Sequence, residues 1–161
     1  MDERQAPLRS EYLMTIDMQA AVGLEIGKTP RGWRRIDRIV EGSFAGPRLN
    51  GTVVTATDHL LVLRDNSARP DVRLVLETDA GELIQVTYQG IVAGPDEVLR
   101  KLGRREEVPG DQYYMRNALF FETAMDNGCA WLNSTLAVGR GAVRILDGGA
   151  FGVTYEVFRI L

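Results

Sequence analysis

The chain holds one cysteine, Cys129, and one histidine, His59, in 161 residues. A single thiol cannot close an intrachain disulfide, so the fold stands on its core and loses nothing in a reducing compartment. One cysteine and one histidine are too few ligands for a zinc site of the usual kind, and no carboxylate motif marks a magnesium site. No metal and no cofactor are therefore expected. Long apolar runs are missing too: no stretch approaches the ~20 residues that span a bilayer. The start, "MDERQAPLRS", is charged where a secretion signal needs an apolar centre. A cytoplasmic protein without a membrane partner is the expectation. Net charge is only −3, and a mildly acidic surface repels phosphate backbones, so nucleic acid is not expected as a partner. Two basic clusters run against that trend, Arg31 with Arg34 and Arg35, and Lys101 with Arg104 and Arg105; both read as solvated faces.

What is present is an ordinary globular mixture, 45% apolar and 25% charged, in a length that suits one domain. The domain is expected to span residues 1–161, with residues 1–10 as a flexible start. At this size roughly 68–70% of the unfolded surface can be buried, enough for one core. Alternation of apolar and polar residues, the strand period, begins in "EYLMTIDMQA" with Tyr12, Met14, Ile16 and Met18. Similar segments recur at Thr52 to Ala56, Leu60 to Leu63, Val72 to Thr78, Leu83 to Tyr88, Tyr113 to Glu122, Ala130 to Val138, Val143 to Leu146 and Val153 to Ile160. "DNSARP", "DAG", "DNG" and "DGG" separate them with turn chemistry. Only "GPDEVLRKLG" reads as helix: Pro95 suits its first turn, Asp96 and Glu97 favour its positive end, and Val98, Leu99 and Leu102 form a buried stripe. About nine antiparallel strands with one short helix must cover their apolar face with themselves, so the fold class is all-β, an antiparallel β-barrel.

The glycine-rich stretch "EGSFAGPRLNGTVV" is a corner in that barrel. Gly42 is expected to end a strand, Gly46-Pro47 to turn, and Asn50-Gly51 to open the next strand through a primed turn, with Phe44 and Leu49 as core anchors. "GLEIGKT" from Gly23 nearly spells a phosphate-binding loop, but has three residues between its glycines where four are needed, and Pro30 follows in place of a helix. "GRG" at Gly139 and "GGAFG" at Gly148 lie between strand candidates and read as hairpin turns.

Chemistry, if any, rests on polar residues in the strands. In "DVRLVLET" one face carries Val72, Leu74 and Leu76, the other Asp71 and Arg73. The ordinary placement turns the aliphatic row inward; the other places Asp71 and Arg73 in a lined cavity, and the functional expectation depends on that second placement. In "YYMRNALFFETA", Tyr114 and Arg116 share a face, and Glu122 beside Phe120 and Phe121 would become a proton shuttle if buried, or an ordinary ion pair or strand-end charge if not. Trp131 and Asn133 share a face by strand parity, as an aromatic wall beside an amide or as plain packing. Asp58 and His59 are adjacent, so a regular strand sends them to opposite faces and denies them a dyad. No serine sits in a nucleophile-elbow context.

Taken in order, "EGSFAGPRLNG", Asp58, "DVRLVLETDAGELI", "GPDEVL", "YYMRNALFFET" and "AWLN" resemble the uncharacterised protein family 0311, also called domain of unknown function 3237, from about Leu13 to the C-terminus. The resemblance implies an antiparallel β-barrel that assembles into homo-oligomers, and it carries the polar positions onto Asp58, Asp71, Arg73, Tyr88, Tyr114, Arg116, Glu122, Trp131 and Asn133. His59 and Val92 depart from the family pattern. A looser likeness of such a barrel to allene oxide cyclase and dirigent proteins, by fold analogy, implies cofactor-free steering of a reactive small molecule. The expected function is a small-molecule-binding barrel, an isomerase, cyclase or lyase acting on an aromatic or carbonyl-containing metabolite. In it Glu122 or Asp58 would move the proton, and Arg73 and Tyr114 would stabilise developing charge; Asp71, Tyr88, Arg116, Trp131 and Asn133 would bind substrate. A carrier barrel for an apolar ligand and an oligomeric scaffold are the alternatives.

Overall fold

The computed structural model describes residues 3–161. Its strands are β1 (Ser10–Ala20), β2 (Leu24–Thr29), β3 (Gly32–Ala45), β4 (Asn50–Val62), β5 (Ala68–Arg69), β6 (Asp71–Thr78), β7 (Leu83–Ala93), β8 (Tyr114–Thr123), β9 (Leu136–Ile145) and β10 (Phe151–Ile160). One α-helix, α1 (Asp96–Gly103), follows β7. Eight strands close an antiparallel ring in the order β1, β3, β4, β6, β7, β8, β9, β10 and back to β1. β2 lies beside β3, and β5 bridges β4 and β7. The all-β barrel with one short helix is the architecture expected from the alternation. Among the described residues no helix is long and apolar enough to cross a membrane.

Period two decides what fills the ring. Val72, Leu74 and Leu76 point inward and are essentially inaccessible, whereas Arg73 is exposed and Asp71 only half-buried. The ordinary placement of that strand therefore holds, because each fully buried aliphatic side chain contributes about 1.5–3 kcal/mol that a buried unpaired charge would forfeit. With Ile16, Phe44, Ile84, Val86, Leu119 and Val157, these side chains pack one half of the barrel solid. α1 covers the opposite end, where β4 and β7 finish and β3, β6 and β10 begin. It lays Leu99 into the barrel, with Val98 and Leu102 packed beside it.

Several segments differ in detail from the sequence expectation. Thr52 to Ala56 and Leu60 to Leu63 belong to one long strand, β4, and "GLEIGKT" is mostly strand β2, with Gly27 at a bulge (φ 94°) rather than in a phosphate loop. Ala130 to Val138 is not one strand: Ala130–Ser134 form a 3-10 turn before β9 begins. The corner turns at Gly46, whose N–H donates to the Leu49 carbonyl (2.8 Å), over buried Phe44 and Leu49. Gly42, however, lies inside β3, and Asn50 and Gly51 already belong to the β4 ladder without positive φ. Gly51 is required by space: a Cβ there would overlap the carbonyl oxygen of Glu77 on β6. Likewise "GRG" is no turn but the middle of β9, while Gly148 (φ 74°) does make the turn into β10.

Substituting Gly51→Ala is expected to destabilise the protein by about 1–3 kcal/mol, since backbone cannot yield as a side chain does. Gly103→Ala, which meets nothing within 4 Å, should be neutral or slightly stabilising. Urea denaturation of the two variants checks the contrast.

Candidate functional site

The half of the lumen beneath α1 is not filled. A cavity of about 390 Å³ opens there, walled by aliphatic residues such as Leu60, Val62, Val92, Leu99 and Ile145. That volume lies within the ~300–1,000 Å³ usual for small-molecule pockets. Position along the strands sets depth. Asp58, Tyr88 and Tyr155 are the innermost cavity residues of β4, β7 and β10; the next inward-facing residues, Ala56, Val86 and Val157, belong to the packed half. The floor thus carries one carboxyl and two phenols among apolar residues such as Met18, Val72 and Met115, beneath largely apolar walls.

Asp58 is the chemical centre of this floor. It accepts a hydrogen bond from the Asp71 backbone N–H (3.0 Å), and among the described residues no guanidinium or ammonium lies within 4 Å of it. Its cross-strand neighbour on β3 is Asp37. Like charges directly opposite repel, and Asp37 is already matched by Arg35, whose Nε and Nη2 grip both carboxylate oxygens at 2.8–3.1 Å. Burial raises the Asp58 carboxyl from 3.8 to about 7; the Asp71 amide opposes this, the Asp37 charge adds to it and Arg35 offsets part. A group of that kind is available near neutral pH as either acid or base.

Tyr88 and Tyr155 meet edge to face, with ring centroids 5.3 Å apart. Burial, above all, holds both phenols well above their usual range, so they stay protonated donors. Gly141, in the former "turn", makes room for Tyr155: a Cβ there would overlap its ring. Asn117 on β8 faces inward, is 4% exposed, and has no hydrogen-bond partner for either amide atom among the described residues. Leaving such a group unpaired costs about 1–3 kcal/mol.

The other expected site residues lie elsewhere. Glu122, Tyr114 and Arg73 stand on the outer face of the barrel, exposed, because their parity is opposite to that of Phe121, Met115 and Val72. They do not line the cavity, and the burial that an acid–base Glu122 required is absent. Arg116, also on the outer face, packs its guanidinium on Tyr114, 5.0 Å from the ring centroid. Asp71 contributes its backbone amide to the site rather than its carboxylate. Trp131 and Asn133 lie on the 3-10 turn, so strand parity does not relate them. Trp131 is stacked by Arg48 at 3.8 Å, and Asn133 pins the end of β8 by pairing with both the N–H and the C=O of Thr123 (2.8 and 3.0 Å). His59 is exposed, on the face opposite Asp58.

Sequence reasoning missed the site roles of Asp37, Arg35, Asn117, Tyr155, Arg100 on α1, and Arg104 and Arg105 just after it. A usable signal existed for Asn117, which shares the parity of Met115, Leu119 and Phe121, a polar residue in an apolar row. Arg35 and Arg105, assigned to solvated faces, instead border the cavity.

The profile of the family described as "Protein of unknown function (DUF3237)" matches residues 8–160. A UPF0311 protein of Rhodopseudomonas palustris is 33% identical over 136 residues, which cover 84% of this chain and 88% of that protein. The crystal structure of a conserved protein of unknown function from the same species aligns with a TM-score of 0.86 at 30% identity, over 98% of this chain and 99% of that one. A beta-barrel like protein from Acinetobacter baumannii aligns at 0.80 and 30% identity, over 99% and 100%. Both solved structures agree with the closed barrel.

The Asp58 environment has a consequence for stability. Because its carboxyl is raised on folding, its contribution is fully present below pH 4 and is lost as pH rises through about 7. The loss amounts to roughly 4 kcal/mol, most of it between pH 4 and 8. In urea unfolding across that range Asp58→Asn should lack this component; an unchanged pH dependence would show that the carboxyl is not held out of water.

Proposed function

Since the chain belongs to the DUF3237 family of proteins of unknown function, we propose that it is a small-molecule-binding β-barrel enzyme that performs acid–base chemistry, an isomerase, cyclase or lyase acting on a carbonyl-bearing or phenolic metabolite. The observation that carries this reading is the placement of Asp58 at the floor of an apolar cavity beside two neutral phenols. Of the two expected proton carriers, Glu122 and Asp58, it favours Asp58, and it moves the oxyanion donors from Arg73 and Tyr114 to Tyr88 and Tyr155.

Ionised Asp58 removes a proton from a carbon next to the substrate carbonyl, or from a phenol. The negative charge passes to the substrate oxygen, where the Tyr88 and Tyr155 hydroxyls donate hydrogen bonds, strongest once the charge has formed. Protonated Asp58 then returns the proton at another atom, completing an isomerisation, or to the group formed by ring closure or elimination. The apolar wall excludes water, which strengthens each of these interactions and protects the intermediate.

Incubating the purified protein with fractionated metabolite extract, and following individual compounds by chromatography and mass spectrometry, tests the reading. Wild type should convert at least one compound, and Asp58→Asn should lower that turnover by about 10²–10⁴-fold. Glu122→Gln, on the outer face, should retain it. Full turnover by Asp58→Asn would remove the acid–base assignment, and a ligand recovered unchanged from wild type would favour a carrier.

A further inference from the structure

The cavity mouth is bordered by four arginines. Three are already matched by carboxylates: Arg100 by Asp96 (2.8 Å), Arg104 by Glu106 (2.7 Å) and Arg35 by Asp37 (2.8 Å). Arg105 is not; among the described residues no carboxylate lies within 4 Å of its guanidinium. It rests on the ring of Phe151, 5.4 Å from the centroid, and Arg35 approaches the same ring at 5.6 Å.

The backbone at Arg105 is the second observation. α1 ends in a Schellman motif: the N–H of Glu106 donates to the Lys101 carbonyl and the N–H of Arg105 to that of Leu102, both 3.0 Å. The residue between helix and exit loop is then left-handed, and Arg105 has φ 59°. Glycine is the usual occupant, since any Cβ there is strained. An arginine at a glycine position, the residue half-buried and its guanidinium without a carboxylate partner at the rim of an apolar cavity, points from strain to function.

We propose that Arg105 is an anion-recognition residue, and that the molecule bound in this cavity is an apolar, ring-sized body bearing a carboxylate or comparable anion that pairs with Arg105 at the mouth while the body reaches the Asp58 floor. This rests on the cavity being the binding site, as proposed above, and adds the chemical class of its occupant. A guanidinium over an aromatic face is weakly hydrated and presents a planar fork suited to a carboxylate. The Phe151 ring supplies a platform against which a flat ligand stacks.

Isothermal titration calorimetry with 2-naphthoate and 2-naphthamide, which differ in charge and little in shape, tests it. Wild type should bind the carboxylate about ten-fold tighter or more. Arg105→Gly should abolish that preference while leaving 2-naphthamide binding intact and thermal stability unchanged or raised, a combination that a merely structural arginine would not produce. Arg105→Lys should retain part of the preference, and Arg73→Gln, on the outer face, all of it. Equal binding of the two probes by wild type, or a preference that survives Arg105→Gly or vanishes in Arg73→Gln, would overturn the anion assignment and leave the cavity as a binding site. Failure of both probes to bind would remove the assignment together with the binding reading on which it rests.

Discussion

Ring closure drives every second side chain of eight strands into one lumen, and that lumen is packed at only one end. The aliphatic residues of the packed half exclude water from below, and α1 with Leu99 partly covers the other end from above. Any polar side chain whose parity and height place it between these layers loses hydration. Asp58, Tyr88, Tyr155 and Asn117 are so placed, beside the ion-paired Asp37, and their chemistry follows from that position more than from any partner they touch.

Within this layer, charge is arranged unequally. Asp37 and Asp58 face each other across the β3–β4 ladder, yet Arg35 serves only Asp37. A second guanidinium beside Asp58 would favour its ionised form and oppose the rise that burial causes. The Arg35–Asp37 pair is itself held down by the loop after β1, where Gly23 passes so close that a Cβ would overlap the Asp37 carboxylate. The geometry that leaves Asp58 unmatched is thus supported by backbone packing on its neighbour. Buried polar groups without full partners oppose stability, and the solid half of the barrel offsets that cost.

Much of the architecture was legible because strand alternation and turn chemistry are local signals. The helix at Asp96–Gly103, the turn at Gly46, the anchors Phe44 and Leu49, and the opposed faces of Asp58 and His59 all follow from residues within a few positions of one another. The glycines resisted such treatment. Gly51, Gly139 and Gly141 look like turn residues in one dimension, but they sit in strands and are small because a carbonyl, an amide or a phenol from another strand occupies the space. Trp131 and Asn133 failed for a related reason: five residues of 3-10 turn are indistinguishable by composition from the strand that follows.

By itself the sequence determined that this is one antiparallel barrel with a short helix, since period-two alternation leaves its apolar face no other cover. The family resemblance also singled out Asp58 and Tyr88, though among seven others, of which Asp71 reaches the site through its backbone amide. Only the tertiary structure decided which face is inside, because both faces of a strand obey the same period, and the inward one is known only once the ring has closed. The site is equally a tertiary fact. Arg35, Asp58, Arg105 and Tyr155 are distant in the chain, and what brings them to one cavity is the register of strands whose pairing no short stretch encodes, together with the packing of α1 over the end of the barrel.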